Sequence, residues 1–304
     1  MSEAAKGVWA MVVACTIWGL SPLYYKLLEH LSPIEILAHR TLWSFVLFAI
    51  LLLFQGRIGQ IAVALGSFRS VLIIGCAAFF ISLNWFVYIS SIQIDMVLEA
   101  SLGYFIFPLI AVVLGAVVLG ERMARAQVFA VFLAFCAVLL LALGFGVTPW
   151  IALVLGTSLG LYGLIKKGLS AGPVVSVTAE VLLLSPIAIG VLWWIHAGGS
   201  GAFGTTLPDT ILLIFSGVLT AWPLILFSYA TKRASLGTVG LVQYLNPSLQ
   251  FLVATVIFLE PLSYWHVMSF AMIWAALVIY SASALRQDRA LRKAPESSLT
   301  DPTT

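Results

Sequence analysis

Ten apolar runs, each about 18 to 24 residues long, follow one another along this chain with short breaks between them. That is the length a helix needs to cross roughly 30 Å of hydrocarbon. The runs cover approximately residues 8–28, 35–55, 70–92, 96–119, 124–145, 149–168, 175–196, 209–231, 237–260 and 264–285. Apolar residues make up 62% of the chain and charged residues 9%, against roughly a quarter charged in soluble globular proteins. In lipid, every backbone polar group has to be satisfied within its own segment or by a closed barrel. The expectation is therefore an all-α integral membrane protein with the lipid bilayer as its first partner.

The first run follows a single Lys6, lacks a small-x-small cleavage site and is too long for a signal-peptide core, so it counts as a span. Cys15, Cys76 and Cys136 all fall inside apolar runs and read as small core residues rather than a disulfide framework. With ten spans the loops alternate sides. The side shared by both termini collects Lys6, Arg57, Arg69, Arg122, Arg125, Lys166, Lys167, Lys232, Arg233, Arg286, Arg289, Arg292 and Lys293, thirteen of the fifteen Lys and Arg residues. By the positive-inside rule both termini are cytoplasmic. The basic residues thus have a topogenic explanation, which leaves no case for a nucleic-acid partner.

Shifting the chain against itself by about 140 residues lays "WAMVVACTIWGLSPLYYKLL" on "WIALVLGTSLGLYGLIKKGL". Trp9 falls on Trp150, Gly19 on Gly160 and Lys26 on Lys167. Further on, Tyr88 falls on Tyr229, and the spacing of Pro108 and Glu121 recurs in Pro247 and Glu260. Two units of five spans follow: repeat 1 over 4–145 and repeat 2 over 148–285, with a solvated, disordered cytoplasmic tail over 286–304. Because five is odd, the second unit enters from the opposite side and the halves are inverted copies, an architecture tied to alternating access. Gly156 and Gly160, with Gly163 close by, suit close helix contacts. Pro22, Pro108, Pro186, Pro223 and Pro247 can bend spans around a cavity.

The polar residues sort by depth. Ser32 and Glu35 form a capping-box pattern at the start of the second span, with Pro33 at its first helical position. Arg40 lies about 8 Å further in at 1.5 Å per residue. Asp95 can cap the fourth span, with Glu99 one turn in, where the helix dipole favours an anion. Lys26, His39, Arg40 and Glu99 therefore share one layer, a candidate outer gate or coupling site in which Glu99 would pair with Arg40. Inversion places Lys167 and Glu180 at the matching depth opposite, a candidate inner gate with Glu180 near Lys166 or Lys167. Between the layers lie Trp18, Asn84, Trp85, Tyr88, Tyr104, Tyr162, Trp222, Gln243, Tyr244 and Asn246. Core packing accounts for each one singly; their clustering points to a substrate cavity for an amphiphilic organic solute.

The segments "IWGLSPLYYKLL", "EILAHRTLWS", "NWFVYIS", "LEASLGYFIFPL", "LGERMARAQ" and "LYGLIKKGL" closely resemble the RarD group of EamA-type transporters in the drug/metabolite transporter superfamily. The resemblance covers nearly the whole chain in order. It implies a ten-helix permease of two EamA repeats in a bacterial inner membrane, with both termini cytoplasmic. No P-loop, His-Glu-x-x-His, G-x-S-x-G or dinucleotide fingerprint occurs, and the four histidines form no metal set, so no cofactor, metal or catalytic residue is expected. The leading expectation is a non-enzymatic secondary transporter of a small organic metabolite or drug, with proton coupling through Glu99, Glu180 or His39 as an option. The alternative is a membrane-embedded enzyme acting on a lipid or lipid-linked substrate. The sequence assigns neither the solute nor a homo-oligomeric state.

Overall fold

Ser2 starts the first helix. Its side-chain oxygen accepts the Ala5 N–H at 3.2 Å, which satisfies one of the donors a helix start leaves open. α1 (Glu3–Gly19) ends where Pro22 removes the N–H that the Trp18 carbonyl would accept. The chain resumes as α2 (Ser21–Lys26), and Ser21 Oγ donates to the freed Trp18 carbonyl at 2.7 Å. There follow α3 (Pro33–Phe54), α4 (Gly59–Ala64), α5 (Phe68–Gln93), α6 (Val97–Leu119), α7 (Arg125–Phe145), α8 (Trp150–Lys167), α9 (Pro173–Ala197), α10 (Leu207–Thr231), α11 (Leu236–Gln243), α12 (Leu245–Leu252), a π-helical turn (Val253–Ile257) and α13 (Tyr264–Lys293). The computed structural model describes residues 2–120, 123–145, 149–231, 233–234 and 236–293, and every regular element among them is helical. Glu121, Arg122, Lys232 and residues 294–304 of the expected tail lie outside the described residues.

Eight helices among the described residues are long and apolar enough to cross a membrane. The sixth expected run forms α8, an 18-residue helix that closes on Lys166 and Lys167. The ninth is broken into α11, α12 and the π turn, with Leu245–Ile257 as a shorter apolar helix. The break falls at Tyr244, where Pro247 leaves the Gln243 carbonyl without its helical donor, as Pro22 does to Trp18. Pro108, Pro186 and Pro223 instead stay inside α6, α9 and α10. α13 continues eight residues beyond Leu285, where the tenth run was expected to end.

Small residues decide how closely the helices approach. A Cβ on Gly156 of α8 would sit 2.8 Å from Ile110 Cδ1 and 3.1 Å from the Gly103 carbonyl of α6; one on Gly103 would sit 2.9 Å from the Ala152 carbonyl. Bare backbone therefore brings α6 and α8 together, as membrane helices without a hydrophobic driving force require. Gly163, on the same helix, faces open space and contributes nothing to this contact. α8 also packs on α5, α3 lies against α9 and α10, α1 against α10, α11 and α12, and α7 against α13. Large apolar side chains such as Phe54, Phe132, Trp193 and Trp194 are exposed on the outside, a surface suited to lipid. Cys76 is on that exposed surface too, not in the core as expected; Cys15 is buried.

The helix caps differ from the sequence expectation. Ser32 makes no side-chain cap, and Glu35 reaches out of the proposed capping box to accept the buried Ala202 N–H at 2.7 Å. Asp95 adopts a left-handed φ of 55, which turns it away from α6 and onto Lys26 at 2.7 Å. Glu260 replaces it, accepting the Val97 and Leu98 N–H groups at 2.8 Å each. Burial pushes the Glu260 carboxyl above its usual range, and those two N–H donors oppose the shift.

Candidate solute cavity

A cavity of about 750 Å³ opens at the centre of the bundle, within the range of small-molecule sites. Its wall is assembled from both halves of the chain. Trp18, Ser21 and Tyr25 come from α1 and α2, Arg40 from α3, Asn84, Trp85 and Tyr88 from α5, and Tyr104 and Pro108 from α6. The second half contributes Tyr162 from α8, Thr220 and Phe227 from α10, Gln243, Tyr244, Pro247 and Gln250 around the α11–α12 break, and Tyr280 from α13. Both proline-induced interruptions thus border the cavity. An irregular backbone at membrane depth is tolerated where it lines a cavity.

Of the ten residues expected at a cavity, Trp18, Asn84, Trp85, Tyr88, Tyr104, Tyr162, Gln243, Tyr244 and Asn246 lie on the wall. Trp222 does not. It is 58% exposed on α10, because Pro223 and Thr220 occupy the buried face of that helix. The sequence reading missed Tyr25, Thr220 and Gln250. For Gln250 the overlooked signal was an amide inside an apolar run.

The wall is held by a polar network. Asn84 Nδ2 donates to the Leu155 carbonyl at 2.9 Å and to Ser158 Oγ at 3.1 Å, while its Oδ1 accepts from Tyr104 at 3.0 Å. One amide thereby ties α5 to both α6 and α8. Ser21 and Tyr88 hydroxyls meet at 2.9 Å. Gln250, 2% exposed, donates to Asn246 Oδ1 at 3.0 Å and leaves its Oε1 buried without a partner.

The charged candidates disperse. Lys26 pairs with Asp95 and Glu29. His39 is buried and stacks on Phe203 with ring centroids 4.8 Å apart. Glu99 accepts the Ile151 N–H at 3.1 Å, capping α8, and makes no ion pair with Arg40. Of these four only Arg40 lines the cavity. It donates from Nη1 to the Tyr25 hydroxyl at 2.5 Å, and its guanidinium lies 4.2 Å from the Trp85 ring centroid. Glu180 is 1% exposed and accepts from Lys166 at 2.6 Å, Ser176 at 3.0 Å and Tyr162 at 3.0 Å. Lys166 thus holds Glu180, while Lys167 is exposed. Tyr162 links that cluster to the wall.

The EamA-like transporter family's sequence profile matches residues 5–143. The uncharacterized transporter YojE of Bacillus subtilis is 41% identical over 95% of this chain and 98% of its own. Protein RarD of Streptomyces exfoliatus is 43% identical, covering 91% and 88%, and protein RarD of Escherichia coli is 35% identical, covering 96% and 99%. A solved crystal structure superposes with a TM-score of 0.59 over 90% of this chain and 96% of that one; at 16% identity it shows the shared fold alone. Relatives of this similarity over nearly their whole length, together with the multi-pass helical bundle, establish that the chain belongs to the RarD group of EamA-like membrane transporters in the drug/metabolite transporter superfamily.

Proposed function

We propose that this protein is a secondary permease that carries a small organic solute through the central cavity by alternating access of two inverted five-helix repeats. The observation that carries the reading is a mid-bundle cavity of about 750 Å³ walled by residues of both halves. The helix packing supports the repeat: exchanging α1, α3, α5, α6 and α7 with α8, α9, α10, α11–α12 and α13 turns the α5–α8 contact into α10–α1, α6–α8 into α12–α1, and α3–α10 into α9–α5. The α3–α9 and α7–α13 contacts map onto themselves. That is the pattern an inverted pair with a two-fold axis in the membrane plane produces.

In this reading the protein sits in a bacterial cytoplasmic membrane with both termini inside. The Lys26–Asp95 pair and the α2–α3 turn close the outer end. The Glu180, Lys166 and Ser176 cluster closes the inner end, and its break lets Tyr162 move with the wall. Proton coupling would run through this inner cluster rather than through Glu99 or His39, since Tyr162 joins Glu180 to the cavity. The lipid-modifying enzyme has no comparable support in the relatives, of which the Bacillus subtilis protein is named as a transporter. Reconstitution into proteoliposomes with a broad solute panel tests the reading. Saturable flux of at least one small organic solute, absent from empty vesicles, is the expected result; modification of a lipid without any solute flux would overturn it.

A further inference from the structure

The permease reading leaves the solute class open, and Arg40 narrows it. An arginine presents five N–H donors in a fixed fork and stays charged. Arg40 is 6% exposed, on the cavity wall. Nη1 is engaged by the Tyr25 hydroxyl, whereas Nε is buried without an acceptor. Among the described residues Nη2 meets no acceptor either, and no carboxylate lies within ion-pair distance. Nε and Nη2 form the parallel edge with which a guanidinium grips a carboxylate side-on. The Trp85 face at 4.2 Å and the Tyr25 face at 5.8 Å offset part of the buried charge without using that edge.

From this geometry we infer that the solute is an organic monocarboxylate, its carboxylate gripped by Nη2 of Arg40 and, once a small side-chain movement uncovers it, by Nε, with its apolar body laid against the aromatic wall. This rests on the permease reading. Among the described residues Arg40 is the cationic side chain of the wall, so one negative charge is balanced there and a second would be left uncompensated in a low-dielectric site. A phosphate monoester, with close to two charges, is therefore disfavoured. Trp18, Trp85, Tyr88 and Tyr104 supply flat apolar surface for a ring or branched chain. The buried Gln250 Oε1 remains for a hydroxyl or N–H on that body.

The test uses the full chain, purified, with a panel of aromatic and branched aliphatic monocarboxylates, their neutral amides, and phenyl phosphate. Binding is read by tryptophan fluorescence, with Trp85→Phe to assign the signal, and flux is read in proteoliposomes. The wild type is expected to bind and move at least one acid about tenfold better than its amide and better than phenyl phosphate. Arg40→Lys keeps the charge but loses the fork and should weaken the acid about tenfold. Arg40→Gln should erase the preference for acid over amide. Should either variant fail to fold, the wild-type comparison decides alone. Equal or better binding of the amides, or flux confined to the neutral amides, overturns the monocarboxylate assignment and leaves the permease standing. Retention of the acid preference by a folded Arg40→Gln protein overturns the role of Arg40. The absence of flux for every member of this panel overturns the monocarboxylate assignment; only the same absence across the broad solute panel overturns the permease reading with it.

Discussion

Removing Glu180 should loosen α9 from α8 by an amount the geometry sets. Three donors converge on its carboxylate: Lys166 at 2.6 Å, Ser176 at 3.0 Å and Tyr162 at 3.0 Å. Breaking a buried pair by deleting one partner costs about 3–5 kcal/mol, because an uncompensated charge is left behind. Lys166 is 20% exposed and can swing partly toward water, so Glu180→Leu should fall at or just below the low end of that range, about 2–3 kcal/mol. Replacing both charges with apolar groups of similar volume removes that penalty and can be neutral or stabilising. Glu180→Leu with Lys166→Met should therefore recover at least about half of the loss, a coupling of about 1–3 kcal/mol. Unfolding in mixed micelles with increasing denaturing detergent, monitored for wild type, both single variants and the double variant, measures the cycle. A Glu180→Leu protein as stable as wild type, or a double variant no better than the single, would show that the cluster does not hold the two helices.

Glu260→Ala should cost about 1–2 kcal/mol, the value of a lost N-cap, read in the same assay. Since burial raises the Glu260 carboxyl above its unfolded range, its contribution is fully present below the ordinary carboxylate pKa and declines as pH rises through the raised value; Glu260→Gln should flatten that decline. Gly156→Val should prevent α6 and α8 from docking and abolish monodisperse protein in size-exclusion chromatography, whereas Gly163→Val, on the open side of the same helix, should behave as wild type. Trp222→Ala should leave flux unchanged, because the side chain faces outward; a loss of more than about tenfold would put Trp222 back at the solute path.

What could be read from the sequence followed from length and depth. Apolar runs long enough to span hydrocarbon marked the helices, and counting residues inward from each run's end put Trp18, Asn84, Tyr104 and Gln243 at a depth where they do line the cavity. Depth says nothing about which way a side chain faces around its helix. Trp222 is at a cavity depth and points outward, while Arg40 and Glu99, expected in one layer, turn to different neighbours. Capping was misread because local patterns compete with distant partners. Asp95 and Glu35 had the right spacing for their own helices, but a left-handed turn sent one to Lys26 and a buried loop N–H claimed the other. Glu260, some 160 residues from the helix it caps, shows no signal in any local window. The breaks at Pro22 and Pro247 were legible as prolines, though not as breaks, since Pro108, Pro186 and Pro223 occupy similar positions in unbroken helices.

Alternating access of the cavity is tested most directly by accessibility from each side of the membrane. In a background with Cys15, Cys76 and Cys136 replaced, Thr220→Cys places one thiol on the wall. A membrane-impermeant maleimide is then added to one face or the other of oriented proteoliposomes. Labelling from both faces, slowed from both by a transported solute, is what the account predicts; labelling from one face only, whatever solute is present, would contradict it.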